Sequence, residues 1–399
     1  MPLKDHPMWR RPTHHMDVQN PTDHVQWVEL FFDLVHVVTI FILGNYLSHH
    51  LDWTGFLIFS GLFLAVFYAW ADSSVFNSLY ISTDVTHRLI MAMQIVTMML
   101  IAASIPSAAG KGWAYFALAY AMNRALTAAL YQRVRCNGTE GTALAKEQAR
   151  NFFILAIVFA VSAVIPKPYC YWLFGVGVIL VQLQYMLPRI GTLRFERFVP
   201  RLGHIAERFA LLMLILIGEG FFKIVVTLSE KGIYKVSADT LINNVIGGLS
   251  LFVIAWLYFD TAGNAKLKNR RLPNLLAYWF SHIVLMWATV MIGVALAGEV
   301  YVGFVDPYPT GYGAIGSAGL AIFLAAIWAL QNLVEDHCQI KKFHRAWLRA
   351  AGIALALVVL FIHPHVPSIV SNMIWGTALY LQVLVPYIQA FKEHQNQGA

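Results

Sequence analysis

The chain has 399 residues, 58% of them hydrophobic and only 12% charged, with a formal net charge of +7. A soluble domain carries about 25% charged residues, so the composition excludes an ordinary soluble globular protein. The positive balance does not argue for nucleic acid, because loop lysines and arginines of a membrane protein produce it. No Gly-rich phosphate loop or DNA-binding motif occurs either.

The first 26 residues are polar and contain Pro2, Pro7, Pro12 and Pro21. They lack the basic start, short apolar core and small-residue cleavage site of a signal peptide, and are expected to form a largely irregular tail. From Trp27 onward apolar runs recur at the roughly 20 residues needed to cross about 30 Å of hydrocarbon. The chain therefore reads as an all-α polytopic membrane protein with about twelve transmembrane helices. They are placed at 27–48, 54–79, 87–107, 112–132, 147–166 and 169–187, then at 204–228, 238–262, 275–298, 314–335, 345–363 and 368–391. A basic linker at 188–203 separates two sets of six, and 392–399 is a C-terminal tail. Of the 28 lysines and arginines, 21 fall on the side holding both termini and four on the other, Lys111, Lys167, Lys231 and Lys235. That bias predicts cytoplasmic termini.

The opening helix carries Glu29, Asp33 and His36 inside an apolar run. At 100° per residue these positions share one helical stripe. Ionised groups at membrane depth cost at least about 2.5–3.5 kcal/mol, so they face partners or a cavity. Further ionisable candidates are Asp72 at the end of the second span, Arg124 in the fourth, Glu207, Arg208, Glu219 and Lys223 in the seventh, and Asp260 and His282. Arg124 is expected to find a carboxylate, and Glu219 with Lys223 has ion-pair spacing. Tyr258 and Tyr278 are packing or interfacial aromatics unless they lean into the same cavity.

Bland alternatives stand beside each assignment. Glu29, Glu207, Asp72 and Asp260 lie near enough to the interface to be ordinary helix-end charges, and Arg208 has the stem to snorkel. Glu219–Lys223 is equally a neutralised structural pair. Asp33 is too short to reach water from a turn inside. His36 alone would be a hydrogen-bonded core histidine; beside Asp33 it is a proton-exchanging candidate. Asp33-x-x-His36 also permits two metal ligands on one face, leaving metal and cofactor unknown. Cys136, Cys170 and Cys338 show no pairing pattern, and no nucleophile motif marks a hydrolase.

An internal repeat is expected, with 27–187 and 204–391 as its copies. Glu29 matches Glu207, Asp72 matches Asp260, and His87 matches His282, in the same helix order and at steadily growing offsets. Six spans per copy is even, so the copies would run the same way through the membrane, the parallel kind of duplication.

At these residues the sequence resembles the bacterial low temperature requirement protein A (LtrA) family. Glu29-Leu30-Phe31-Phe32-Asp33-Leu34-Val35 is similar to its first-helix signature. Further matches are Glu207-Arg208-Phe209, Ile217-Gly218-Glu219, Tyr258-Phe259-Asp260, and Tyr278 with His282, Gly293 and Gly298. His36 stands where the family usually has an aromatic, and Lys223 also departs from its pattern. The resemblance supports Glu29, Asp33, Glu207, Arg208, Glu219, Asp260 and His282, and implies a link to growth in the cold.

Three functions follow. The first is a transporter or permeation protein of the bacterial inner membrane for a small solute or cation, coupled to a proton or cation through Asp33 and Glu29. The second is a membrane-embedded enzyme or metalloprotein acting on a lipid or apolar substrate. The third is a structural or sensory protein whose charges only lock helices together. Expected partners are the lipid bilayer and a small solute, proton or cation; a homo-oligomer is allowed, and nucleic acid is not expected.

Overall fold

The computed structural model describes residues 8–18, 24–134, 139–187, 199–263, 265–335 and 342–397. Cys136, Cys338 and most of the expected linker at 188–203 lie outside the described residues. Twelve long helices account for nearly all that is described: α1 (Trp27–His49), α2 (Trp53–Leu79), α3 (Val85–Ser104), α4 (Trp113–Gln132), α5 (Thr139–Ser162), α6 (Tyr169–Met186), α7 (Leu202–Lys231), α8 (Ala238–Tyr258), α9 (Leu272–Gly298), α10 (Thr310–Leu333), α11 (Lys342–Ile362) and α12 (Ser368–Gln397).

Ten of the twelve are long and apolar enough to cross a membrane. The two that fall short, α4 and α5, were expected to span like the rest. Their polar content explains the difference: α4 carries Asn123, Arg124 and Gln132, and α5 opens through Glu140, Lys146, Glu147, Gln148 and Arg150. The same polar residues account for misplaced ends. Hydropathy starts the fifth helix at 147, whereas the backbone is helical from Thr139.

The N-terminal segment is less irregular than expected. Its strand β1 (Thr13–His14) pairs antiparallel with β2 (Tyr80–Ile81), just past α2. His14 is buried there, its ring edge-on to Tyr80 with centroids 5.6 Å apart.

The chain divides into two compact units. The first comprises Met1–Tyr46 and Leu57–Arg208, the second Leu47–Phe56 and Phe209–Ala399, so the division falls inside α1, α2 and α7. In the first unit α3, α4, α5 and α6 pack in sequence order. Their buried surface is largely aromatic, with Tyr120, Phe159 and Phe174 meeting at centroid distances of 4.7–5.1 Å. In the second unit α9 packs on α10, α10 on α11, α11 on α12, and α12 on α8. Small residues let α7 and α9 approach closely: a Cβ added at Gly293 would lie 3.4 Å from the Gly220 Cα. Such small-residue contacts drive packing where lipid supplies no hydrophobic contrast.

On α1 the helical period sorts the side chains. Glu29, Asp33, His36 and Ile40 are buried, while Leu30, Phe31, Leu34 and Val38 are 39–54% exposed. An apolar outer stripe over a polar inner one inverts the pattern of a soluble helix, and it suits a helix whose outside meets lipid.

Candidate functional site

One group of buried charges in the first unit gathers on α1 and the opening turns of α7, beside Trp70 of α2. Arg208 is fully buried and forks its guanidinium between two acids on α1: Nη1 donates to Glu29 Oε2 and Nη2 to Asp33 Oδ1, both at 2.5 Å. The four-residue spacing of Glu29 and Asp33 places successive carboxylates one turn apart, which is why one planar fork serves both. Trp70 on α2 adds an indole N–H to Asp33 Oδ1 at 2.6 Å, and its ring lies under the guanidinium at 5.6 Å.

His204 completes the group. It lies one turn before Arg208 on α7, with Nε2 3.3 Å from Glu29 Oε2 and Nδ1 2.8 Å from the Ser78 hydroxyl. A carboxylate can only accept, so Nε2 carries the hydrogen. Sequence reasoning missed His204 and Trp70. The i, i+4 spacing of His204 and Arg208 was the available signal for the first; nothing in the sequence singles out Trp70 among twelve tryptophans.

Two acids therefore meet one permanent cation, and polar atoms remain unpaired. Asp33 Oδ2, Arg208 Nε and both ring nitrogens of His36 are buried without a hydrogen-bond partner. His36 is packed instead against Phe32 and Trp70, with centroids at 6.3 and 6.4 Å. Asp33 and His36 line the same stripe of α1, and no hydrogen bond joins them.

A second buried pair in the first unit joins Asp72 on α2 to Arg124 on α4. The expectation that Arg124 would find a carboxylate holds. Arg124 Nη2 also donates to Asn123 Oδ1 at 2.6 Å, and its guanidinium stacks over Tyr120 at 5.0 Å. Around the pair, Ser73, Gln94, Thr97, Asn123 and Thr127 hydrogen-bond across α2, α3 and α4. Here the acid and the base balance one to one.

The remaining candidates belong to other surroundings. Glu207 on α7 is half-buried. In the second unit Asp260 is exposed and accepts from the Tyr387 hydroxyl at 2.8 Å. Glu219 and Lys223 form a buried i, i+4 pair at 3.8 Å. His282 stacks on Phe209 at 4.3 Å, and its Nδ1 lies 2.9 Å from the Tyr278 carbonyl. That carbonyl fixes the hydrogen on Nδ1, so Nε2 accepts from the Tyr258 hydroxyl at 3.3 Å. Tyr258 and Tyr278 thus pack directly on His282. Among the described residues no group of three or more His, Cys, Asp or Glu side chains could hold a metal ion.

No curated protein and no solved structure matches the chain. Residues 24–390 do match one family, described as bacterial low temperature requirement A protein (LtrA). Nearly the whole helical region is covered, including every residue of the Glu29–Asp33–His204–Arg208 group. The chain is thus an integral membrane protein belonging to the LtrA family.

Proposed function

We propose that the protein is a bacterial inner-membrane transporter or permeation protein for a small solute or cation, coupled to proton exchange at Asp33. The observation that carries this reading is the charge imbalance around Arg208. One guanidinium faces two carboxylates, and one oxygen of Asp33 is buried with no donor. That oxygen has room to carry a proton, so the group can change charge by one while Arg208 holds both acids in register. Glu29, with His204 as a second donor, is the better satisfied of the two acids.

The loop-charge bias places the termini in the cytoplasm and the opening of α1 near that side. The ordered pairs Glu29/Glu207, Asp72/Asp260 and His87/His282 support a duplicated six-helix ancestor with copies running in the same direction. For Arg124–Asp72 the helix-locking role is favoured, since its charges already balance.

The test uses the full chain in proteoliposomes with the pH dye pyranine trapped inside and an imposed sodium or potassium gradient as the probe. Gradient-driven proton movement is expected in the wild type and lost in Asp33→Asn. Movement equal to that of protein-free vesicles, or unaffected by the substitution, overturns the reading.

A further inference from the structure

A buried carboxylate stands apart from every residue considered so far. Glu299 follows α9 directly, in the 3-10 turn Glu299–Tyr301, and is 2% exposed. No cationic side chain pairs with it among the described residues. The ionisable groups around it are otherwise engaged. Lys231, at the end of α7, donates to the Val300 carbonyl at 2.5 Å and lies over the Tyr301 ring. Asp239, at the start of α8, accepts from the Phe304 N–H at 2.9 Å. In the 302–309 loop Tyr308 hydrogen-bonds the carboxyl. Along its whole length α10 carries no charged residue, and α12 carries charge only at its far end.

The hydrogen-bond arithmetic at Tyr308 ties the charge of Glu299 to the orientation of its neighbours. Its hydroxyl is 2.8 Å from Glu299 Oε1 and also 2.8 Å from Asn372 Oδ1. A phenol has one hydrogen, so it cannot donate to both oxygens. In this orientation Asn372 Nδ2 donates to Asn243 Oδ1 at 2.9 Å. In this amide orientation Tyr308 donates to Asn372 and accepts from Glu299, which places a hydrogen on the Glu299 carboxyl; with both amides turned over, Tyr308 donates to an ionised Glu299 instead. Its other oxygen, Oε2, has no donor and rests on Gly247, where an added Cβ would lie 2.7 Å away. A neutral acid tolerates that unpaired oxygen far better than a carboxylate does.

The carboxyl borders a cavity of about 40 Å³ shared with Asn372, Ser250 and Trp375 and otherwise lined by apolar side chains. That exceeds the roughly 10–15 Å³ one water needs. We propose that Glu299 is a proton-binding site: it is held as a neutral carboxylic acid donating to Tyr308, and it exchanges that proton with water in this cavity. When the proton passes to water, the electron pair stays on Oε1 and the Tyr308 O–H swings round to donate to it. Asn372 and Asn243 then turn over, so that Asn372 Nδ2 donates to Tyr308 and Asn243 Nδ2, unpartnered in the first arrangement, donates to Asn372. The chain of four side chains thus has two hydrogen-bond orders, one for each charge of Glu299. This site is independent of the assignment made for Asp33.

Infrared difference spectroscopy on the full chain in lipid bilayers, stepped from neutral to alkaline pH, tests it. The carbonyl stretch of a protonated carboxylic acid is expected at neutral pH, bleached on alkalinisation, absent in Glu299→Gln, and moved to higher frequency in Tyr308→Phe. Glu299→Gln, which replaces a neutral acid by a neutral isostere, is expected to unfold at the wild-type temperature. A spectrum unchanged by Glu299→Gln, a marked drop in its unfolding temperature, or loss of the band on adding sodium or potassium at fixed pH would each overturn the proposal.

Discussion

Arg208 and Asp33 share a 2.5 Å hydrogen bond, yet each keeps a buried polar atom without a partner, Nε on the arginine and Oδ2 on the aspartate. The fork is divided between two acids rather than spent bidentately on one. That division leaves Asp33 attached but undersupplied, which suits a group that gains and loses a proton more than one that only fastens helices.

The Asp72–Arg124 pair sets one acid against one base, and its response to substitution is predicted accordingly. Asp72→Asn or Arg124→Met alone leaves an uncompensated buried charge and lowers stability by about 3–5 kcal/mol. The double variant recovers most of that loss. Thermal unfolding of the four proteins in detergent, taken as a double-mutant cycle, measures the coupling.

His36 makes no hydrogen bond among the described residues, so His36→Phe is expected to leave the unfolding temperature within a few degrees of wild type. His204→Phe, by contrast, strips Glu29 and Ser78 of a partner and costs about 1–3 kcal/mol. The two variants compared by thermal unfolding separate a packed imidazole from a bonded one.

At the close approach of α7 and α9, Gly293→Leu is expected to destabilise by about 1–3 kcal/mol through overpacking, because the Gly220 backbone stands where the side chain must go. Gly61→Leu, on α2 with open space around its Cα, is the matched control and is expected to be neutral.

In the second unit, Tyr258→Phe removes the donor to His282 Nε2 and leaves that nitrogen buried and unpaired. A loss of about 1–2 kcal/mol follows, and adding His282→Phe to the variant removes the orphaned acceptor. Unfolding temperatures of the single and double variants check this.

Much of the architecture was legible because period and length carry it. Apolar runs marked the helices, and the stripe Glu29–Asp33–His36 faced inward as its spacing required. Helix ends were less legible, since the stretch from Thr139 to Lys146, with Glu140, Thr142 and Lys146, is not a continuous apolar run yet is helical. Partner choice was legible only in type: Arg124 needed an acid, but four residues between Glu29 and Asp33 do not reveal that Arg208 joins them. His204 and Trp70 escaped notice because an imidazole and an indole are common in apolar helices and acquire their roles from neighbours distant in sequence. Glu299 was hidden by its position at a helix end, where a carboxylate usually meets water.

The most direct measurement compares proton movement in two sets of proteoliposomes, one carrying Asp33→Asn and one the double variant Asp72→Asn/Arg124→Met. The account predicts that the first is folded and silent, because asparagine keeps the bonds to Arg208 and Trp70 but cannot exchange a proton, while the second retains the wild-type response. Equal responses from the two would contradict it and leave both charge groups as fasteners between helices.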